Sequence, residues 1–229
     1  MIIFAHVDYD DRMGHNLDRV RGKMTSQDLT LTIAAFAVEE QVLMTELSRS
    51  IEQKETIAAG LLLCLSFLVG QTINDLKIER LDRIYPIKRN QGLIDFKLVC
   101  RQLPSQMEIC LGVCVLTSLD LPVVRDAYNS LLVYKDFGLD RLCILRPGDL
   151  MTNVTQLPNY LPKLLSSDIG GNFIPIKSID LLSIFTTLSV FRHKQQHGIN
   201  REMMSEYLHQ KEILTKNELI NNILATVQL

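Results

Sequence analysis

The sequence predicts an α/β fold, a small mixed sheet flanked by helices, with a helical C-terminal appendage. Three observations carry that expectation. Leu93-Ile-Asp-Phe-Lys-Leu-Val-Cys-Arg101 alternates, with Ile94, Phe96, Leu98 and Cys100 on one side and Asp95, Lys97 and Arg101 on the other, which reads as a strand with one wet face. Met107–Val115 is apolar on both sides except at Glu108, as an interior strand should be. A helical stretch then runs from Asp120 to Phe137, Gly138 stops it, and Arg141–Arg146 is apolar again. Strand, helix and strand over this length form a crossover, which sets Met107–Val115 and Arg141–Arg146 parallel.

The other elements follow in order. Residues 1–25 open on a short apolar run with strand character and then turn polar. Ser26 is placed to cap a long amphipathic helix, because Leu29, Ile33, Phe36, Leu43, Leu47 and Ile51 recur at helical spacing as far as Gln53. Thr56 is placed to cap a second, apolar helix. Its densest run, Ile57–Gly70, has 14 residues, short of the ~20 that span a bilayer, so a core helix is expected and no membrane partner. The charged stretch Asp75–Arg89 ends at Tyr85-Pro86 and shows no clear period. Leu103-Pro-Ser-Gln106 is a turn.

Residues 158–175 are rich in Pro, Gly and Ser and read as a linker. They divide the chain into an α/β domain, 1–157, and a helical subdomain, 176–229. Three helices are expected there, near 178–196, 200–210 and 216–226. Asn200 and Thr215 are the cap residues, with Thr215-Lys-Asn-Glu218 fitting a capping box.

Composition bounds the function classes. The 229 residues are 47% hydrophobic and 22% charged, and the net charge of -2 disfavours a generally basic nucleic-acid binder. The five Cys are odd in number and sit mostly in apolar runs, so free buried thiols and a cytoplasmic location are expected. Met1–His6 lacks the basic region of a secretory leader. Cys110 and Cys114 have no second pair at zinc-finger spacing. His193-Lys-Gln-Gln-His197 sets two imidazoles at i and i+4, able to chelate zinc, with His209 or Glu202 as further ligands. Complementing the end of a helix explains the same pair. His6-Val-Asp8-Tyr-Asp10-Asp11 is similar to the opening of DHH-type phosphoesterases, but Arg12 stands where another acid is needed. No Walker A, GxGxxG or GxSxG sequence occurs.

The strongest constellation is Asp95 on one strand and Glu108 near the start of the next, with a tight turn between. A hairpin that brought both carboxylates to one edge would suit Mg²⁺ or Mn²⁺, which prefer oxygen ligands, activate water and stabilise a pentavalent phosphate. With a leading helix bearing Glu39, Glu40 and Glu46, and a closing helix and strand, residues 26–150 resemble the restriction-endonuclease-like PD-(D/E)xK fold. The resemblance implies Asp95 and Glu108 as metal ligands and catalytic residues, with the motif Lys replaced by Cys110 and the Pro before Asp95 by Ile94. Lys97, on the face of Asp95, is then the substitute base, and Lys88, Arg89 and Arg101 the nucleic-acid contacts. The missing Lys argues against efficient cleavage. The expectation is a degenerate nuclease-like domain acting as a nucleic-acid-associated or assembly subunit. The alternatives are an active Mg-dependent phosphodiesterase and a protein-interaction module. A protein partner or second copy would dock through residues 178–229, since the charge balance there, five Lys/Arg and four Glu from Arg192 onward, suits protein better than DNA.

Overall fold

The computed structural model describes residues 24–50 (from 46 on, the backbone alone), 53–84, 93–148, 163 and 170–228. Two helices come first, α1 (Ser26–Ser50) and α2 (Lys54–Ser66). Six strands follow, β1 (Thr72–Ile73), β2 (Leu76–Arg83), β3 (Phe96–Gln102), β4 (Met107–Val115), β5 (Arg141–Pro147) and β6 (Gly171–Ile176). Helix α3 (Leu121–Leu131) and a 3-10 turn (Tyr134–Phe137) connect β4 to β5, and α4 (Ser178–Arg192), α5 (Arg201–Gln210) and α6 (Glu218–Ala225) close the chain. The strands form one mixed sheet in sequence order. β1 to β4 are antiparallel, and β4, β5 and β6 are parallel, as the crossover requires.

Both faces of the sheet are covered. Phe96, Leu98 and Cys100 of β3, with Ile109, Leu111, Val113 and Val115 of β4, enter the larger core shared with α1, α2, α4, α5 and α6. Cys114, Leu142 and Ile144 enter a smaller core under α3, with Val124, Tyr128, Leu131 and Tyr134. Gly112 makes that second layer possible, because a Cβ there would lie 2.5 Å from Leu139 Cδ1. A Cβ at Gly60 would likewise meet Ile184 Cγ2 at 2.7 Å, so glycine lets α2 lie close on α4. Among the described residues no helix is long and apolar enough to cross a membrane, and all five cysteines are free.

The sequence-based boundaries need several corrections. The charged stretch from Asp75 contains β2, the second strand of a hairpin. Asn74 and Asp75 both have positive φ, 49° and 64°, which is the geometry of a two-residue turn between antiparallel strands. Leu76 and Ile78 face the core, and the pairing then shifts between Ile78 and Arg80. That bulge breaks the period-2 pattern and hides the strand.

The expected linker, 158–175, overlaps β6. Pro175 is tolerated there because β6 is an edge strand, bonded only to β5. Helices α4 to α6 are not an appendage on a separate body: Leu181, Ile184, Met204, Leu208, Leu219 and Ile223 lie in the same core as Phe36, Leu61 and Leu98. Helix α2 begins at Lys54 and takes no side-chain cap, with the Thr56 hydroxyl bonded instead to Gln53. Asn217, not Thr215, caps α6 by accepting from Ile220 N–H, while Asn200 caps α5 as expected. The strand expected near residue 1 and the His6–Asp11 segment lie outside the described residues.

Candidate functional site

Asp95 lies one residue before β3, and its bonds hold it there. Its own N–H donates to Val113 O at 2.9 Å. Its Oδ2 accepts the Val115 N–H at 2.7 Å, and its Oδ1 meets Lys54 Nζ at 3.2 Å. The carboxylate thus prolongs the β3–β4 ladder by one bond and fastens the first residue of α2 to the end of the sheet. Burial raises its pKa to about 6, against the pull of Lys54 and the Val115 N–H.

Glu108 occupies the opposite end of β4, paired in register with Arg101. Val113, which bonds Asp95, is five residues further along that strand, roughly 17 Å at the usual rise. The antiparallel register therefore does not bring the two carboxylates together. Glu108 is exposed, 3.6 Å from an Arg80 nitrogen and 3.8 Å from an Arg101 nitrogen.

The polar face of β3 is a ladder of ion pairs. Lys97 Nζ is 3.7 Å from Asp82, and Arg80 is 3.3 Å from the same carboxylate. Arg101 holds Glu79 with two nitrogens, at 2.6 and 2.9 Å, and also donates to Gln106 O. That forked bond pulls the Glu79 carboxyl below its ordinary range. Lys97 is thus directed at Asp82, and the Arg101 fork is closed around a carboxylate. Lys88 and Arg89 lie outside the described residues.

The helix acids separate as well. Glu40 is exposed, and the side chain of Glu46 lies outside the described residues. Glu39 is buried on the inner face of α1 and is bound by one end of α4. Ser189 Oγ donates to its Oε2 at 2.5 Å, and both His193 Nδ1 and His197 Nε2 lie on its Oε1, at 3.0 and 2.8 Å. Burial pushes the Glu39 pKa up, but the bonds from Ser189, His197 and His193 outweigh it, and the net shift is downward. An ionised carboxylate only accepts, so each of these ring nitrogens carries its proton.

The i, i+4 histidine spacing visible in the sequence does gather the two rings on one point. That point is a carboxylate oxygen, and neither His209 nor Glu202 is bonded to it. Among the described residues no group of three or more His, Cys, Asp or Glu is arranged to hold a metal ion. Cys110 and Cys114 keep their thiol protons, since burial raises both.

Sequence reasoning missed Lys54 and Ser189. Lys54 gave no signal, being one charge at a helix start. Ser189 had one, because Ser189, His193 and His197 fall four residues apart and Glu39 is the lone acid among Thr32, Ala35, Phe36 and Leu43 on the inner side of α1. The chain matches no protein-family model, no curated protein and no solved structure.

Proposed function

We propose that this chain is a degenerate nuclease-like domain that serves as an assembly subunit and does not cleave phosphodiesters. The order of elements supports the fold half of this reading: helices, three antiparallel strands β2–β4, the crossover helix α3 and a parallel strand β5. One observation carries the loss of chemistry. Asp95 has both oxygens engaged at one end of β4 while Glu108 stands at the other. Two-carboxylate metal binding needs both acids within reach of one ion, so these residues do not fit Mg²⁺ or Mn²⁺ as a pair.

The assembly half rests on α1. On one flank of its buried face it exposes Leu31, Val38 and Val42, and on the other Ile33 and Met44, by 40 to 67%. No charged residue lies between Asp28 and Glu39. Residues 178–229 offer less, since their large apolar side chains are mostly buried and Ile179 is the exposed exception among those described. The Leu31, Val38 and Val42 flank, on the side of α1 away from the exposed Glu40, offers no complementarity to an oppositely charged partner, and a second copy of this chain, pairing α1 with α1, matches it best. Arg101, closed on Glu79, contributes little to nucleic-acid binding in this reading.

Calorimetric titration with Mn²⁺, beside an Asp95→Ala control, and nuclease assays on DNA and RNA test the chemistry. The expected result is no saturable binding at millimolar metal and no cleavage. Binding lost in the control, or cleavage in the wild type, would restore the active phosphodiesterase. Sedimentation of the wild type against a Val38→Lys, Val42→Lys double variant tests the assembly. A dimer that the double variant dissociates is expected, and a monomeric wild type refutes α1 self-pairing.

A further inference from the structure

Arg146 stands at the carboxyl end of β5, and strand alternation turns it to the α3 side of the sheet with Leu142 and Ile144. Its side chain is 0% exposed. Nη2 donates to Ser118 O at 3.1 Å, while Nε and Nη1 have no hydrogen-bond partner among the described residues. The Tyr128 hydroxyl, also fully buried, makes no well-formed hydrogen bond and has the Arg146 guanidinium as its polar neighbour. These two groups are neighbours: burial pushes the Tyr128 pKa up, and the Arg146 guanidinium, by its charge and by a loose hydrogen bond to the hydroxyl, offsets part of the rise. Buried polar groups are nearly always matched, and a buried cation with unmatched N–H groups is among the most costly exceptions.

The surroundings favour an anion. Ser118 lies in the loop from β4 to α3, where its hydroxyl accepts the Asp120 N–H at 3.1 Å. Asp120 is exposed and its side chain makes no capping bond, and Pro122 has no N–H, so the Leu121 and Val123 amides at the start of α3 have no side-chain acceptor from it. In a β4–α3–β5 crossover the start of α3 and the end of β5 share one edge of the sheet, the edge where open parallel sheets take ligands. Asp95, across β4, is already engaged by Lys54 and the Val115 N–H. A guanidinium, a hydroxyl and a helix N-terminus together match phosphate oxygens. Complete burial of Arg146 restricts the occupant to a compact group, because a phosphodiester within a polymer enters with its flanking sugars.

We propose that Arg146, Tyr128 and the start of α3 form a binding site for one compact phosphate, either the free ion or the terminal phosphate of a small ligand. The site stands independently of the nuclease-like reading.

Thermal unfolding of the full chain in inorganic phosphate, in a nucleoside monophosphate and in acetate, each matched with chloride for ionic strength, tests it. A saturable rise in Tm with phosphate and none with acetate is expected. A larger rise with the nucleoside monophosphate assigns the terminal group of a small ligand, and a rise with inorganic phosphate alone assigns the free ion. Tyr128→Phe removes only the hydroxyl, keeps the fold and weakens phosphate binding about tenfold. Arg146→Met abolishes it. No saturable rise with either phosphate, an equal rise with acetate, or an affinity unchanged in Tyr128→Phe overturns the proposal, the last even if Arg146→Met fails to fold.

Discussion

Glu39 and Asp95 are both largely buried carboxylates that tie a helix to the rest of the fold, yet they are shifted in opposite directions. Glu39 receives one hydroxyl and two ring N–H groups, and its pKa falls below the ordinary value. Asp95 receives one backbone N–H and one ammonium, and burial still lifts it to about 6. Burial disfavours the charged form in both, so the number and quality of the donors decide the sign. A buried acid with a shifted pKa is often taken for a functional group. Here each shift has a structural cause: Glu39 joins α1 to α4, and Asp95 joins α2 to the end of the sheet.

The largest effect expected from this comparison is at Glu39. Glu39→Ala leaves Ser189, His193 and His197 facing a gap, and the loss should reach about 2–4 kcal/mol, read from the denaturant midpoint. Glu39→Gln keeps an acceptor and should lose about half as much. Equal losses in the two variants would mean that the charge, and not the set of acceptors, holds α1 to α4. Because the folded pKa of Glu39 is depressed, its stabilisation is present above the ordinary value of 4.5 and is lost as pH falls below it.

Asp95 comes next, with the opposite pH sign. Its folded pKa is raised from 3.8 to about 6, so the folded state holds the proton more tightly than the unfolded chain. Stability from this group is complete below the unfolded value and is lost as pH rises through about 6. The full span corresponds to about 3 kcal/mol, an order of magnitude only. Asp95→Asn retains an oxygen for the Val115 N–H and should remove that slope, so the difference between its stability–pH curve and that of the wild type isolates the residue. At pH 7, Asp95→Ala should cost about 1–3 kcal/mol and Asp95→Asn about 1 kcal/mol or less. A flat difference curve between pH 4 and 7 would show that Asp95 titrates normally and is less confined than its bonds indicate.

The sheet was legible wherever period and burial agree. β3, β4, the crossover and β5 stand out because β3 alternates, β4 is apolar on both sides, and Gly138, in the left-handed conformation with φ 69°, ends the connecting helical segment. β2 was hidden by its bulge, and β6 by Gly171 and Pro175, two residues that usually mark loops and that an edge strand accommodates. The site was legible in residue type but not in position. The sequence marks Asp95, Glu108 and the two histidines, but register is a property of the paired strands, and a tight turn in β3–β4 carries Glu108 away from Asp95 instead of toward it. The partner of His193 and His197 is 154 residues or more away in sequence, on α1, and no local pattern announces such a contact.

The smallest expected effect is at Glu108, where the comparison becomes sharpest. Glu108 is 42% exposed, and its two arginine contacts are long, at 3.6 and 3.8 Å. Arg101 keeps Glu79 without it, and Arg80 keeps Asp82. Glu108→Ala should therefore change stability by less than about 0.5 kcal/mol. Glu108 touches two strand arginines loosely and no helix, so nothing is anchored through it. If Asp95→Ala and Glu108→Ala were instead equal in cost and non-additive in the double variant, the two carboxylates would be coupled, and the register that separates them would be wrong.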